Sequence, residues 1–178
     1  DNLNLLVEKA VEAICEAAGF SLDDITRARI RRGEYFIKRV DINGMFELPS
    51  LSDVRSWLDA ASIKMRSRHG RATTKKGTVY FGQTSKRWAW KFYSKFDEIL
   101  NAERGHRLPP YLYNSPLLAF CENKLRSELV LRAPAIRDIT GEEKPLARDL
   151  LAVGLQSIFN DYLSRLDMTA NVSIGDAQ

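Results

Sequence analysis

The stretch Arg87 to Lys95, RWAWKFYSK, leaves little freedom about what the chain can fold into. As a strand it sends Trp88, Trp90 and Phe92 to one face and Arg87, Lys91, Tyr93 and Lys95 to the other. The aromatic face must pack against another layer. The opposite face carries a phenol among cations. A phenol with a pKa of about 10 is a poor nucleophile at neutral pH, and neighbouring ammonium and guanidinium groups stabilise the phenolate it must become. The same cations would hold a phosphodiester. The plainer alternative is that Tyr93 is a half-buried strand aromatic.

Charge along the chain is uneven around this strand. Lys64, Arg66, Arg68, Arg71, Lys75, Lys76, Lys86, Arg87, Lys91 and Lys95 fall in a stretch without Asp or Glu, where the average composition would place about four acidic residues. Such a local excess calls for a polyanionic partner, with nucleic acid the first candidate and a solvated basic loop the alternative. The overall net charge of +4 hides this asymmetry. Nothing approaches the roughly 20 apolar residues of a membrane span, and no signal-peptide pattern is present, so a cytoplasmic protein without membrane contact is expected. A start at Asp1 reads as a piece cut from a longer chain.

Apolar residues at three- and four-residue steps predict a helix over 3–18, ended by Gly19. Two runs rich in Ile, Phe, Tyr and Val, 25–31 and 34–43, read as strands, with a hairpin between them open as a reading. Ser50 and Asp53 resemble a capping box that starts a helix over 51–66. The segment 67–76 lacks periodicity and reads as a mobile basic loop. Strands are predicted over 78–82 and 125–132, helices over 94–103 and 115–123, and a Pro-containing connector over 105–114. A long amphipathic helix is expected from Pro145 to about Leu166, with a frayed tail after Asp167.

Two carboxylates sit inside predicted strands: Asp41, flanked by Arg39 and Asn43 on one face, and Glu128, between Arg126 and Val130. A charged carboxylate in a sheet is costly unless it is paired or bound to metal. Asp41, Tyr93 and Glu128 on three strands could share one face, which makes an active site plausible. Salt bridges are the alternative role for each carboxylate. His69 and His106 are too far apart to form a metal pair, and Cys15 and Cys121 read as small core residues. There is no Walker loop, dinucleotide fingerprint, zinc pattern or Gly-x-Ser-x-Gly elbow, so any chemistry rests on tyrosine and carboxylates.

The order KRVDING at 38–44, TVYFG at 78–82, SKRWAWKFYSKFDEI at 85–99 and KLRSELVLR at 124–132 resembles the phage replication protein II/X family. These are the rolling-circle replication initiators of filamentous phages, divergent relatives of the HUH endonucleases. The likeness covers about residues 1–150. It implies an α+β fold, an antiparallel sheet of about five strands with helices on one face in an HUH/RRM-like palm, and a C-terminal helical extension. The nicking and joining domain would occupy 1–140 and the extension 141–178. It further implies an endonuclease that nicks one strand at an origin and later rejoins it through a 5′-phosphotyrosine, with Tyr93 as nucleophile and Lys95 near the reacting oxygens. Host helicase and polymerase would be partners.

Relatives in the wider superfamily hold Mg²⁺ or Mn²⁺ with a pair of histidines that this sequence lacks. Asp41, Glu128 and, more weakly, Asn43 take their place as expected ligands, since oxygen donors suit these ions. DNA would be held by Arg66, Arg68, Arg71, Lys75, Lys76, Lys86, Arg87 and Lys91. Tyr80, on the same side as Tyr93, is a candidate second tyrosine. The rival readings are a non-catalytic single-stranded DNA module in which Trp88, Trp90 or Tyr80 stack on bases, and an RNA-binding sheet.

Overall fold

The computed structural model describes residues 2–67, 70–100, 109–112 and 116–167. His69, His106, Arg68 and the tail after Asp167 lie outside these residues. The chain divides into two compact units, 1–40 with 132–158, and 41–131 with 159–178. No helix among the described residues is long and apolar enough to cross a membrane.

The first unit is helical. Its α1 (Asn2–Ala17) follows the expected apolar spacing. The run 25–31, expected as a strand, is instead a helix, α2 (Asp24–Arg31). Two local forces override the Ile and Thr content. Asp23 caps the helix by accepting from the Thr26 backbone N–H at 2.9 Å. The helical spacing also brings Arg27 and Arg31 together onto α1, where Arg31 donates to both oxygens of Glu8 at 2.6 and 2.8 Å and Arg27 reaches Glu12 at 2.6 Å. Those guanidinium hydrogen bonds hold the Glu8 carboxyl below its ordinary range.

After Gly33 the chain does not continue a hairpin. Residues 35–37 lie beside 145–147, through Ala147 N–H to Tyr35 O at 2.9 Å, Ile37 N–H to Pro145 O at 3.3 Å and a bridge from Phe36 to Leu146. Three helices, α3 (Leu51–Lys64), α4 (Lys95–Leu100) and α5 (Pro116–Cys121), belong to the second unit and stand where helices were expected over 51–66, 94–103 and 115–123. The chain then returns to the first unit. There α6 (Ala133–Thr140) follows directly from a strand; Pro134 suits its first turn and Gly141, at φ 74°, ends it. The expected long helix from Pro145 is two helices, α7 (Ala147–Val153) and α8 (Leu155–Leu163), interrupted at Gly154 with φ 90°.

The second unit holds the sheet. Its strands are β1 (Arg39–Glu47), β4 (Thr73–Lys75), β5 (Thr78–Phe81), β6 (Trp88–Ser94) and β7 (Lys124–Arg132), in the order β1-β7-β6-β5-β4. The pairs β4–β5, β5–β6 and β6–β7 are antiparallel. The described residues of the segment expected as a basic loop are largely strand-paired. They form β2 (Arg66–Ser67) and β3 (Gly70–Arg71), which with β8 (Leu166–Asp167) make a small three-stranded sheet, and then enter β4.

On the packed face Trp88 and Trp90 are 0% exposed. Trp57 of α3 lies 5.2 Å from the Phe92 ring, and Phe159 and Tyr162 of α8 meet Trp90 and Trp88 at 4.9 and 5.6 Å. Each such ring contributes about 1.5–3 kcal/mol on burial. Trp90 Nε1–H also donates to Tyr162 O at 3.3 Å. Ser50 caps α3 as expected, its Oγ accepting from Asp53 N–H at 3.1 Å. The same face of β1 is fitted by Gly44, where a Cβ would stand 2.6 Å from Phe159 Cζ. Gly44→Ala should therefore displace the Phe159 ring from Trp90 and cost about 1–3 kcal/mol, read as a lower urea midpoint with an unchanged slope.

Candidate active site on the open face of the sheet

Pairing register decides which side chains meet on the face away from the aromatic layer. In β6 and β7, Tyr93 stands opposite Arg126 and Lys91 opposite Glu128; in β5, Tyr80 stands opposite Lys91. β1 alternates the same way. Gly44 looks into the packed layer at Phe159, and Glu47 meets Lys124 at 2.7 Å, so the odd residues Asp41 and Asn43 share the open face with Tyr93 and Glu128. Both are exposed, and Asp41 has an interaction partner of its own.

At the centre of this face the Tyr93 hydroxyl donates to Glu128 Oε1 at 2.6 Å. Lys91 Nζ donates to the other oxygen, Oε2, at 2.6 Å. Arg126 Nε lies 3.6 Å from Oε1, too far for a hydrogen bond, and is buried without a hydrogen-bond acceptor. Lys95, which opens α4, donates to Glu98 Oε2 at 2.5 Å. A cavity of about 400 Å³ opens over this group, walled by Tyr93, Glu128, Lys91, Glu98, Tyr80 and the turn lysines Lys75 and Lys76. A second cavity of about 270 Å³ shares Tyr80 and Gln83 with it and reaches Arg71.

The electrostatics differ from the expectation that cations stabilise a phenolate. Tyr93 is 6% exposed, and burial first, then the hydrogen bond to Glu128 and the charge of that carboxylate, push its phenol well above the ordinary value; Arg126 opposes this more weakly. The lysines are neutralised by carboxylates that the strand pairing and first helical turn bring in. Glu128 itself stays charged. Burial pushes its carboxyl up, but hydrogen bonds from Lys91 and Tyr93 together outweigh burial and hold it below the ordinary range. The resting arrangement is therefore a protonated phenol poised on an ionised acceptor, which is the geometry of a nucleophile and its base.

Residues 1–174 of the chain match the family described as the replication-associated protein of phages, N-terminal part. The chain belongs to that family. A replication-associated protein of Enterobacteria phage I2-2 is 43% identical over 150 residues, which are 84% of this chain and 43% of that relative's length. The chain thus spans less than half of the curated relative it matches. No solved structure matches it at a significant level. The resemblance to the phage replication protein family is borne out by these likenesses.

The structure brings Lys75, Lys76 and Lys91 to the cavity beside Tyr93. Arg71 lines the adjoining cavity, and Arg66 stands opposite both Arg71 and Asp167 in the small sheet. Lys86 is exposed and Arg87 half-buried in the turn before β6, outside both linings. Sequence reasoning missed Glu98 and Arg126. Arg126 shares the Arg-x-Glu alternation with Glu128, but its place opposite Tyr93 depends on register. Trp88 and Trp90, weighed as stacking platforms, are buried under helices and unavailable to a base; Tyr80 remains half-buried on the open face.

The donor set expected for a divalent ion consists of oxygens on β1 and β7. Among the described residues no group of three or more His, Cys, Asp or Glu could hold a metal by itself. Mg²⁺ is commonly held by one or two carboxylates with substrate phosphates and water; here both Glu128 oxygens already accept hydrogen bonds, from Tyr93 and Lys91, and Asp41 has an interaction of its own.

The raised phenol has a consequence at high pH. An unfolded chain ionises this tyrosine near 10.0 while the folded chain keeps it neutral, so the stability it contributes is complete below pH 10.0 and lost as pH rises beyond it. Tyr93→Phe should flatten the alkaline fall in stability measured by urea denaturation.

Proposed function

We propose that this chain is the nicking and joining part of a rolling-circle replication initiator, which cuts one DNA strand at an origin and holds its 5′ end as a phosphotyrosine. The observation that carries the reading is the short hydrogen bond from Tyr93 to Glu128 in a cavity walled by lysines. Tyr93 Oη would attack the scissile phosphorus, its proton passing to Glu128 as the Oη–P bond forms and the P–O3′ bond breaks. Lys95 would give a proton to the departing 3′ oxygen. Arg126, opposite Tyr93 and 3.6 Å from Glu128, would add positive charge close to the phosphate. Mg²⁺ or Mn²⁺ held by Asp41 and Glu128, with Asn43 beside them, would neutralise charge on the phosphate. Reversal of the same steps rejoins a strand.

Lys75, Lys76, Lys91 and Arg71 line adjoining cavities and would track the backbone of one strand past Tyr80 to Tyr93. The protein would act on DNA in the cytoplasm of the host, with helicase and polymerase as partners. The alternative of a non-catalytic single-stranded DNA or RNA module is weakened by the burial of both strand tryptophans.

Labelled single-stranded oligonucleotides carrying the origin, incubated with Mn²⁺ or with chelator, separate the two readings. A 5′-phosphate adduct should form with metal, disappear in Tyr93→Phe and slow by about 10²–10⁴-fold in Glu128→Gln. Tight binding without an adduct under any metal, in the full-length protein as well, would leave only the binding module. Substituting Lys75 or Arg71 by Ala should reduce the salt dependence of single-strand binding by about 0.7 in slope for each charge removed.

A further inference from the structure

We propose that the helical unit carries a second nucleic-acid site, an apolar slot beside Phe36 that takes one base of unpaired DNA. Phe36 is 65% exposed although its backbone is held by the ladder to Pro145 and Leu146, so its ring is presented by an ordered segment. The slot next to it has a volume of about 340 Å³, with Ala133 and Pro145 among its apolar walls. That is a pocket of small-ligand size.

Lys38, Arg137 and Lys144 line the same slot. Elsewhere in this unit the arginines are engaged: Arg27 and Arg31 with Glu8, Arg32 and Arg148 with Glu34. None of the three slot cations has an ion-pair partner among the described residues. Phe36 and Lys38 meet in that they line the same slot. An exposed ring flanked by uncommitted cations matches a base on an aromatic platform with phosphates on either side. Glu143, the one carboxylate in the lining, repels phosphate but can accept from the exocyclic amine of a base, which favours cytosine over thymine. An amphipathic peptide helix would need several anchors spaced along a groove, and the slot offers one aromatic in one cavity.

The test uses the full chain carrying Tyr93→Phe, so that no covalent chemistry occurs on the sheet and the outcome does not depend on the nicking reading. A short oligodeoxycytidine with one 5-iodocytosine is bound, irradiated and mapped by peptide mass spectrometry. The expected adduct lies on the peptide containing Phe36. Phe36→Ala should lose it and weaken binding about fivefold to a hundredfold, Phe36→Trp should retain both, and Lys38→Ala with Arg137→Ala should lower the salt slope by about 0.7 per charge. Because Phe36 is exposed, thermal unfolding of these variants should match the parent. Absence of the adduct together with unchanged affinity in Phe36→Ala overturns the proposal. So does an acidic amphipathic peptide that binds the slot and is not displaced by the oligonucleotide.

Discussion

The pleat of β6 is the constraint on which the second unit depends. Seven residues from Trp88 to Ser94 bury two tryptophans and a phenylalanine on one side, and that side must be covered by apolar groups from other elements. Trp57, Phe159 and Tyr162 cover it, from helices far apart in sequence. Slipping the strand by one residue would put the tryptophans where Tyr93 now lies, so the hydrophobic register and the chemical register are the same thing. The aromatic layer thereby holds the phenol in place at no separate cost.

On the opposite face the governing balance is between burial and pairing. A cluster of lysines and arginines, taken from the sequence alone, implies an acidified Tyr93. Instead two of the strand and helix lysines have acquired carboxylates, Lys91 through Glu128 and Lys95 through Glu98. Isolated charges at such depth would be expensive, and the pairs reduce that cost. The result is a neutral phenol hydrogen-bonded to an ionised carboxylate. Arg126 Nε, buried without a hydrogen bond, is an unmet donor in the same group.

Much of the sheet was legible beforehand because residue type alternates in 78–81, 88–94 and 124–132, although packing also buries Ala89 and Tyr93 of the other face. The cap of α3 and the buried free thiols of Cys15 and Cys121 were legible for similarly local reasons. Other elements were not. The run 25–31 has the composition of a strand, and the ion-pair partners that favour a helix there, Glu8 and Glu12, lie 15 to 23 residues away on α1. The basic segment after Arg66 resembles a loop because two- and three-residue strands carry too little pattern to recognise, and one of the two partners of β2, β8, lies about a hundred residues on. The long C-terminal helix breaks at Gly154, where a positive-φ backbone outweighs continuous apolar spacing.

By itself the sequence determined the two faces of β6, the identity of the tyrosine that stands among cations, and the order of short motifs that mark the replication protein family. Side-chain alternation is a property of the single strand, so it needs no partner to be read. Tertiary structure alone decided that Glu128 accepts from Tyr93, that Arg126 lies opposite it, and that Phe36 stays exposed beside uncommitted cations. Those facts depend on strand register and on which helix covers which surface, and both are settled by long-range packing that no local window contains.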